Sequence, residues 1–111
     1  MILHVVPLDE WSAAPGRPYA PRSLAAEGFV HCSADGLSAL AVADAHYREV
    51  PGPLLVLCVE ESALTAEVRW EGPGEVLFPH VYGPVERAAV TAVLEVRRDA
   101  AGRAVELTPW L

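Results

Sequence analysis

Apolar and polar positions follow two different periods along the chain, and the changes between them mark its elements. Ile2-Leu3-His4-Val5-Val6 is an almost unbroken apolar run that ends at Pro7, which predicts a strand. Asp9-Glu10-Trp11-Ser12-Ala13-Ala14 predicts a short helix, and the Pro/Gly-rich stretch 15–21 an exposed connection. A turn or two of helix follows over Ser23-Leu24-Ala25-Ala26-Glu27, stopped at Gly28, where a left-handed residue closes a helix at no steric cost. Phe29-Val30-His31-Cys32 is short, aromatic and β-branched and predicts a second strand. Ser33 then suits a helix N-cap. Over 34–47 the residues Leu37, Leu40, Asp44 and Tyr47 recur at steps of three and four, which puts them on one face of the main helix.

The second half is extended. Pro51-Gly52-Pro53 breaks the helix, and Leu54-Leu55-Val56-Leu57-Cys58-Val59 predicts a central strand buried on both faces. Residues 67–70 and 78–82 predict two further strands, separated by the Gly72-Pro73-Gly74 turn and closed by Gly83-Pro84. A final hairpin joins 89–98 to 103–107 through Asp99-Ala100-Ala101-Gly102. The expected fold is α+β: a small, split, mixed β-sheet of about six or seven strands with one main helix.

Length and composition narrow the class. With 111 residues, 52% hydrophobic and 21% charged, the chain is expected to be one ordered domain spanning 1–111. Eight basic residues, all arginine, stand against fifteen acidic ones, a net charge of −7. Such a chain lacks the basic stripe that holds long nucleic acid, so a small-molecule partner is expected instead. The apolar runs are too short to span a bilayer, and Met1-Ile2-Leu3-His4 does not read as a basic region followed by a cleavable segment. A cytoplasmic protein without membrane contact is the expectation, with Cys32 and Cys58 reduced and buried.

Three of the four histidines fall in predicted strands: His4, His31 and His80. Strand alternation puts Ile2 and Val6 beside His4, Phe29 and Ser33 beside His31, and Phe78 and Tyr82 beside His80. If these strands are neighbours, one face collects imidazoles, a hydroxyl and aromatic rings, groups that suit ligand binding and proton transfer near neutral pH. A lone strand histidine is more ordinarily a core residue with one ring nitrogen on a backbone carbonyl, and it is the recurrence of three that points to a site. Glu71, at a strand end before a turn, is a candidate carboxylate, whereas Trp70 reads as core. No phosphate-loop, dinucleotide-loop or zinc-protease motif is present, and no ligand spacing accompanies the histidines, so no metal is expected.

These residues form a recognisable set. Leu3-His4-Val5-Val6-Pro7 with Trp11, then Tyr19, Pro21 and Ser23-Leu24, Glu27-Gly28-Phe29-Val30-His31-Cys32-Ser33, Ala43 to Tyr47, Val68 with Trp70-Glu71, and Phe78-Pro79-His80-Val81-Tyr82-Gly83-Pro84 together resemble the bacterial family catalogued as domain of unknown function 952. The resemblance covers essentially the whole chain. That family is similar in turn to the ADP-ribosyltransferase-like fold, a split sheet that holds NAD in its cleft. His4 and the Val30-His31-x-Ser33 segment resemble the paired histidine motifs of NAD-dependent RNA 2′-phosphotransferases.

The resemblance implies a nucleotide-using transferase with NAD as cofactor. His4 would bind ribose, His31 and Ser33 would lie near the nicotinamide, and Tyr47, Phe78 or Tyr82 would stack on a ring. The glutamate that steers ribose hydroxyls in many such enzymes has no fixed counterpart, and Glu71 and His80 are the positional candidates. The catalytic set is thus His31, His80 and Glu71, and the cofactor-binding set His4, Ser33, Tyr47 and Tyr82. The basic lobe of the RNA enzymes has no counterpart in this acidic chain, which directs the expected transfer to a small acceptor. Two alternatives stay open: a non-catalytic nucleotide or metabolite sensor, and a histidine acid–base enzyme working without NAD.

Overall fold

The structure, a computed structural model, describes residues 1–110. In chain order the elements are β1 (Ile2–Pro7), α1 (Leu8–Ser12), α2 (Arg22–Glu27), β2 (Val30–His31), α3 (Gly36–His46), β3 (Leu54–Val59), β4 (Glu67–Glu71), β5 (Phe78–Tyr82), β6 (Val90–Arg98) and β7 (Ala104–Pro109). Single 3-10 turns at Glu61–Ala63 and Arg87–Ala89 complete the path. No helix among the described residues is long and apolar enough to cross a membrane.

The strands form two sheets, one ordered β1-β3-β6-β7 and one ordered β2-β5-β4. Among the described residues the backbones of the two are bridged where Leu3 and Ser33 exchange hydrogen bonds of 2.9 and 2.6 Å. The sheet is therefore split between β1 and β2. Every pairing is antiparallel, where the sequence led us to expect a mixed sheet. The cause is that α3 links β2 of the small sheet to β3 of the large one, so it is not the crossover within one sheet that makes parallel neighbours.

Strand β3 lies inside the large sheet and is fully buried along its length, as its continuous apolar run predicts. Leu55, Leu57 and Val59 pack with Ile2, Val6, Val30 and Val81 between the two sheets. On the opposite face Leu54, Val56 and Cys58 pack with Leu3 and Val5 against Ala39 and Ala43 of α3. That helix departs from its predicted start and stripe. Asp35, not Ser33, is the N-cap, its carboxylate accepting from the Ser38 N–H at 2.8 Å, because Ser33 is held by Leu3 in the bridge. Leu37 is 82% exposed, while Leu40 and Tyr47 of the predicted stripe are half-buried against this core, whose fully buried helix contacts are two alanines four residues apart.

Gly28 ends α2 at φ 86°, as predicted, its N–H bonded to the Leu24 carbonyl. The β6–β7 turn follows the same logic, with the Asp99 carboxylate accepting from Ala101 and Arg103 and Gly102 at φ 82°. Trp70, read as core, is 43% exposed because β4 is an edge strand. Cys32 and Cys58 are buried and free.

The Pro/Gly-rich connection is not wholly exposed. Tyr19 turns inward, 3% exposed, and pairs its backbone with Val85 at 2.8 Å in both directions. Arg87 holds this segment down: its guanidinium donates to the carbonyls of Trp11, Ala14 and Arg17 at 2.7–3.0 Å and lies 4.2 Å above the Trp11 ring. Arg87→Ala is expected to cost about 2 kcal/mol, read as a lower melting temperature, and Arg87→Lys to restore little, since one ammonium cannot span three carbonyls. Equal stability of Arg87→Lys and the native protein would show that the strap is not what orders the segment.

Candidate functional site

Pairing of β2 with β5 sets the site, because its register puts His31 directly opposite His80 and Val30 opposite Val81. The valines face the core, so the two imidazoles share the outer face, with ring centroids 5.3 Å apart. Phe29 stacks on His80 at 4.2 Å and lies 5.3 Å from Tyr82, building an aromatic floor.

Each of the two histidines is paired with a carboxylate. His80 Nδ1–H donates to Glu71 Oε1 at 2.9 Å, and the Tyr82 hydroxyl donates to the same oxygen at 2.5 Å. These two donors, Tyr82 first, hold the Glu71 carboxyl below its ordinary pKa and keep it ionised at neutral pH. The same bond raises the Tyr82 hydroxyl, so it stays a donor. Arg69 sits 4.2 Å over the Tyr82 ring and completes the chain. With Nδ1 committed to Glu71, the His80 ring offers Nε2 as its proton acceptor. Across from it His31 bonds through Nε2 to Glu27, which leaves Nδ1 as the other acceptor.

A cavity of about 460 Å³ opens beside this pair. His4, His31, Ser33, Tyr47 and His80 all line it, as do Glu27 and Phe78. Glu71 and Tyr82 are not on its wall; they stand behind His80 and orient it. The sequence reading missed Glu27 and the fourth histidine, His46, at the end of α3. The available signal for Glu27 was its position four residues before His31, with Gly28 turning the chain between them.

His4 has a different character. Its Nδ1–H donates to the His31 carbonyl at 2.6 Å and its Nε2 accepts from the Tyr19 hydroxyl at 2.9 Å, so both ring nitrogens are used internally. Burial lowers its pKa to about 4, overriding the opposing pull of the His31 carbonyl. The ribose contact inferred for His4 therefore lacks a ring nitrogen to make it, and the side chain instead braces β2 against β1 across the split. Desolvation also pushes the Cys32 thiol up to about 12, which removes it as a nucleophile. Among the described residues no three His, Cys, Asp or Glu side chains gather closely enough to hold a metal ion.

The sequence family described as "protein of unknown function (DUF952)" matches residues 5–93, which include both histidine–carboxylate pairs. The chain belongs to this family. It is similar to the crystal structure of protein CC0527 from Caulobacter crescentus, with a TM-score of 0.81 at 31% identity over 94% of this chain and 92% of that one. A double mutant of CC0527 gives the same TM-score at 30% identity and the same coverage. The solution NMR structure of CC0527 gives 0.72 at 33% identity over 91% and 88% of the two chains. No curated protein matches the chain.

Proposed function

We propose that the cleft binds the nicotinamide–ribose part of NAD or a related nucleotide, and that the protein transfers the ribosyl unit to a small acceptor, as the ADP-ribosyltransferase-like resemblance implies. The observation that supports this reading is the meeting of two carboxylate-paired histidines, 5.3 Å ring to ring, on the wall of one cavity of ligand size. The residues present fit this half of the molecule. Tyr47 and Phe78 offer aromatic walls for the base, and Ser33, His31 and His80 offer partners for ribose hydroxyls.

His80 is the catalytic base in this reading. The C–N bond between base and ribose breaks, the acceptor oxygen or nitrogen bonds to the same carbon, and Nε2 takes the acceptor's proton. Glu71, ionised and bonded at Nδ1–H, holds the ring in the tautomer that leaves Nε2 open and stabilises the imidazolium that forms. His31 with Glu27 holds the ribose hydroxyls from the facing strand.

Melting curves with NAD, ADP-ribose and nicotinamide test the reading. A ligand at a hundred times its Kd adds about 2.7 kcal/mol, a rise of roughly ten degrees for a chain of this size. If millimolar amounts of all three leave the curve unmoved, the nucleotide reading falls, and the paired histidines are left to acid–base chemistry on another small molecule.

A further inference from the structure

We infer that the cleft selects a phosphate-free riboside carrying a cationic base over the corresponding nucleotide and dinucleotide. This rests on the reading above and narrows its substrate class. The argument is an account of charge. A phosphate or diphosphate is ordinarily held by arginine, by lysine, or by the open N–H groups of a helix N-terminus. The chain has no lysine, and none of its arginines lines the cleft. Arg48 is occupied by the Ala101 carbonyl and Asp44, Arg69 by Glu67, and Arg97 by Glu106. Arg98 donates to the carbonyls of Tyr47, Arg48, Val50 and Gly52.

Three more, Arg17, Arg22 and Arg87, line a separate cavity beside α1 whose wall also carries Asp9 and Glu10. Tyr19, on the wall of that cavity, and His4, on the wall of the cleft, are bonded to one another and stand between the two. The eighth, Arg103, belongs to the β6–β7 turn, where the Asp99 carboxylate accepts from its backbone N–H. Two helices reach the cleft: α3 with its C-terminal part, at Val42, His46 and Tyr47, and α2, only six residues long, with Ser23 and Glu27, and neither sets an arginine on the wall.

The cleft carries fixed charge of one sign, two carboxylates each bonded to an imidazole. Glu27 is on its wall, and the ionised Glu71 stands one residue behind it. A phosphate dianion there meets two carboxylates and, besides the imidazoles of His31, His46 and His80, no basic side chain. A pyridinium or similar cationic base on an uncharged ribose meets the same carboxylates favourably and has the aromatic side chains of Tyr47 and Phe78 beside it.

Calorimetric titration with nicotinamide riboside, nicotinamide mononucleotide and NAD decides the matter. The riboside is expected to bind about tenfold or more tightly than either phosphorylated compound at low ionic strength, with the gap narrowing several-fold as salt is raised. Glu27→Gln, an exposed position that leaves the fold intact, should narrow it likewise. Equal or tighter binding of the mononucleotide or NAD overturns the inference while leaving the proposed function standing, as does a gap that Glu27→Gln does not change. Binding of none of the three overturns both.

Discussion

Replacing His80 with alanine is expected to slow nicotinamide release by about a hundredfold or more while moving the melting temperature little. General-base groups contribute about 10²- to 10⁴-fold to such rates, and His80 is the imidazole whose Nδ1–H is held by a carboxylate that Tyr82 also anchors, which leaves Nε2 as the acceptor. Its removal leaves Glu71 still accepting from Tyr82, so no charge is stranded in the interior. The stability cost is confined to the stack on Phe29 and one hydrogen bond, about 1 kcal/mol. Glu71→Gln should slow release less than His80→Ala, because the imidazole remains but loses the anion that fixes its tautomer. The rate per folded molecule and the urea midpoint, measured together, separate catalysis from packing. A His80→Ala protein that is destabilised yet turns over at the native rate would make His80 a structural residue and remove the proposed base.

How far the sequence could be read depends on whether a feature is local. Strand β3 was legible because six consecutive apolar residues have few other places to go than between two layers. The stop at Gly28 and the Asp99–Gly102 turn were legible because each is made within a few residues. Alternation also put His31 with Phe29 and His80 with Tyr82 on their respective faces, as the ring contacts bear out. That β2 pairs with β5 could not be read in the same way, since the partners lie almost fifty residues apart and strand patterns do not name their neighbours. Glu27 was hidden for a related reason: it ends a helix, and only the left-handed turn at Gly28 brings it back onto His31. Tyr19 sits in a stretch whose prolines and glycines describe an exposed loop, and its burial is imposed from afar by Arg87 and Val85. Ser33 had the chemistry of an N-cap and a stronger claim on it from the Leu3 backbone.

The largest effect on stability should come from His4, and it should depend on pH in a direction that its burial dictates. The ring is neutral in the folded protein, with a pKa of about 4 against an ordinary value of 6.5. Below pH 6.5 the unfolded chain therefore binds a proton that the folded one does not, so stability is fully present above that pH and is lost as pH falls toward about 4. Between pH 7.5 and 5.0 this one residue accounts for a loss of about 2 kcal/mol. His4→Ala should cost about 3 kcal/mol at pH 7.5, because it strands the buried Tyr19 hydroxyl, leaves the partly buried His31 carbonyl without its donor, and opens a space at the split between the sheets. The same substitution removes the titrating group, so the variant's stability should fall less steeply with pH than that of the native protein, and the difference in slope is the signature of His4 rather than of the exposed histidines common to both. Urea unfolding of the two proteins at pH 7.5, 6.0 and 5.0 measures it. Parallel pH profiles would mean that His4 keeps its ordinary affinity for protons in the folded state, and that the brace between Tyr19 and His31 is not closed to solvent as the structure has it.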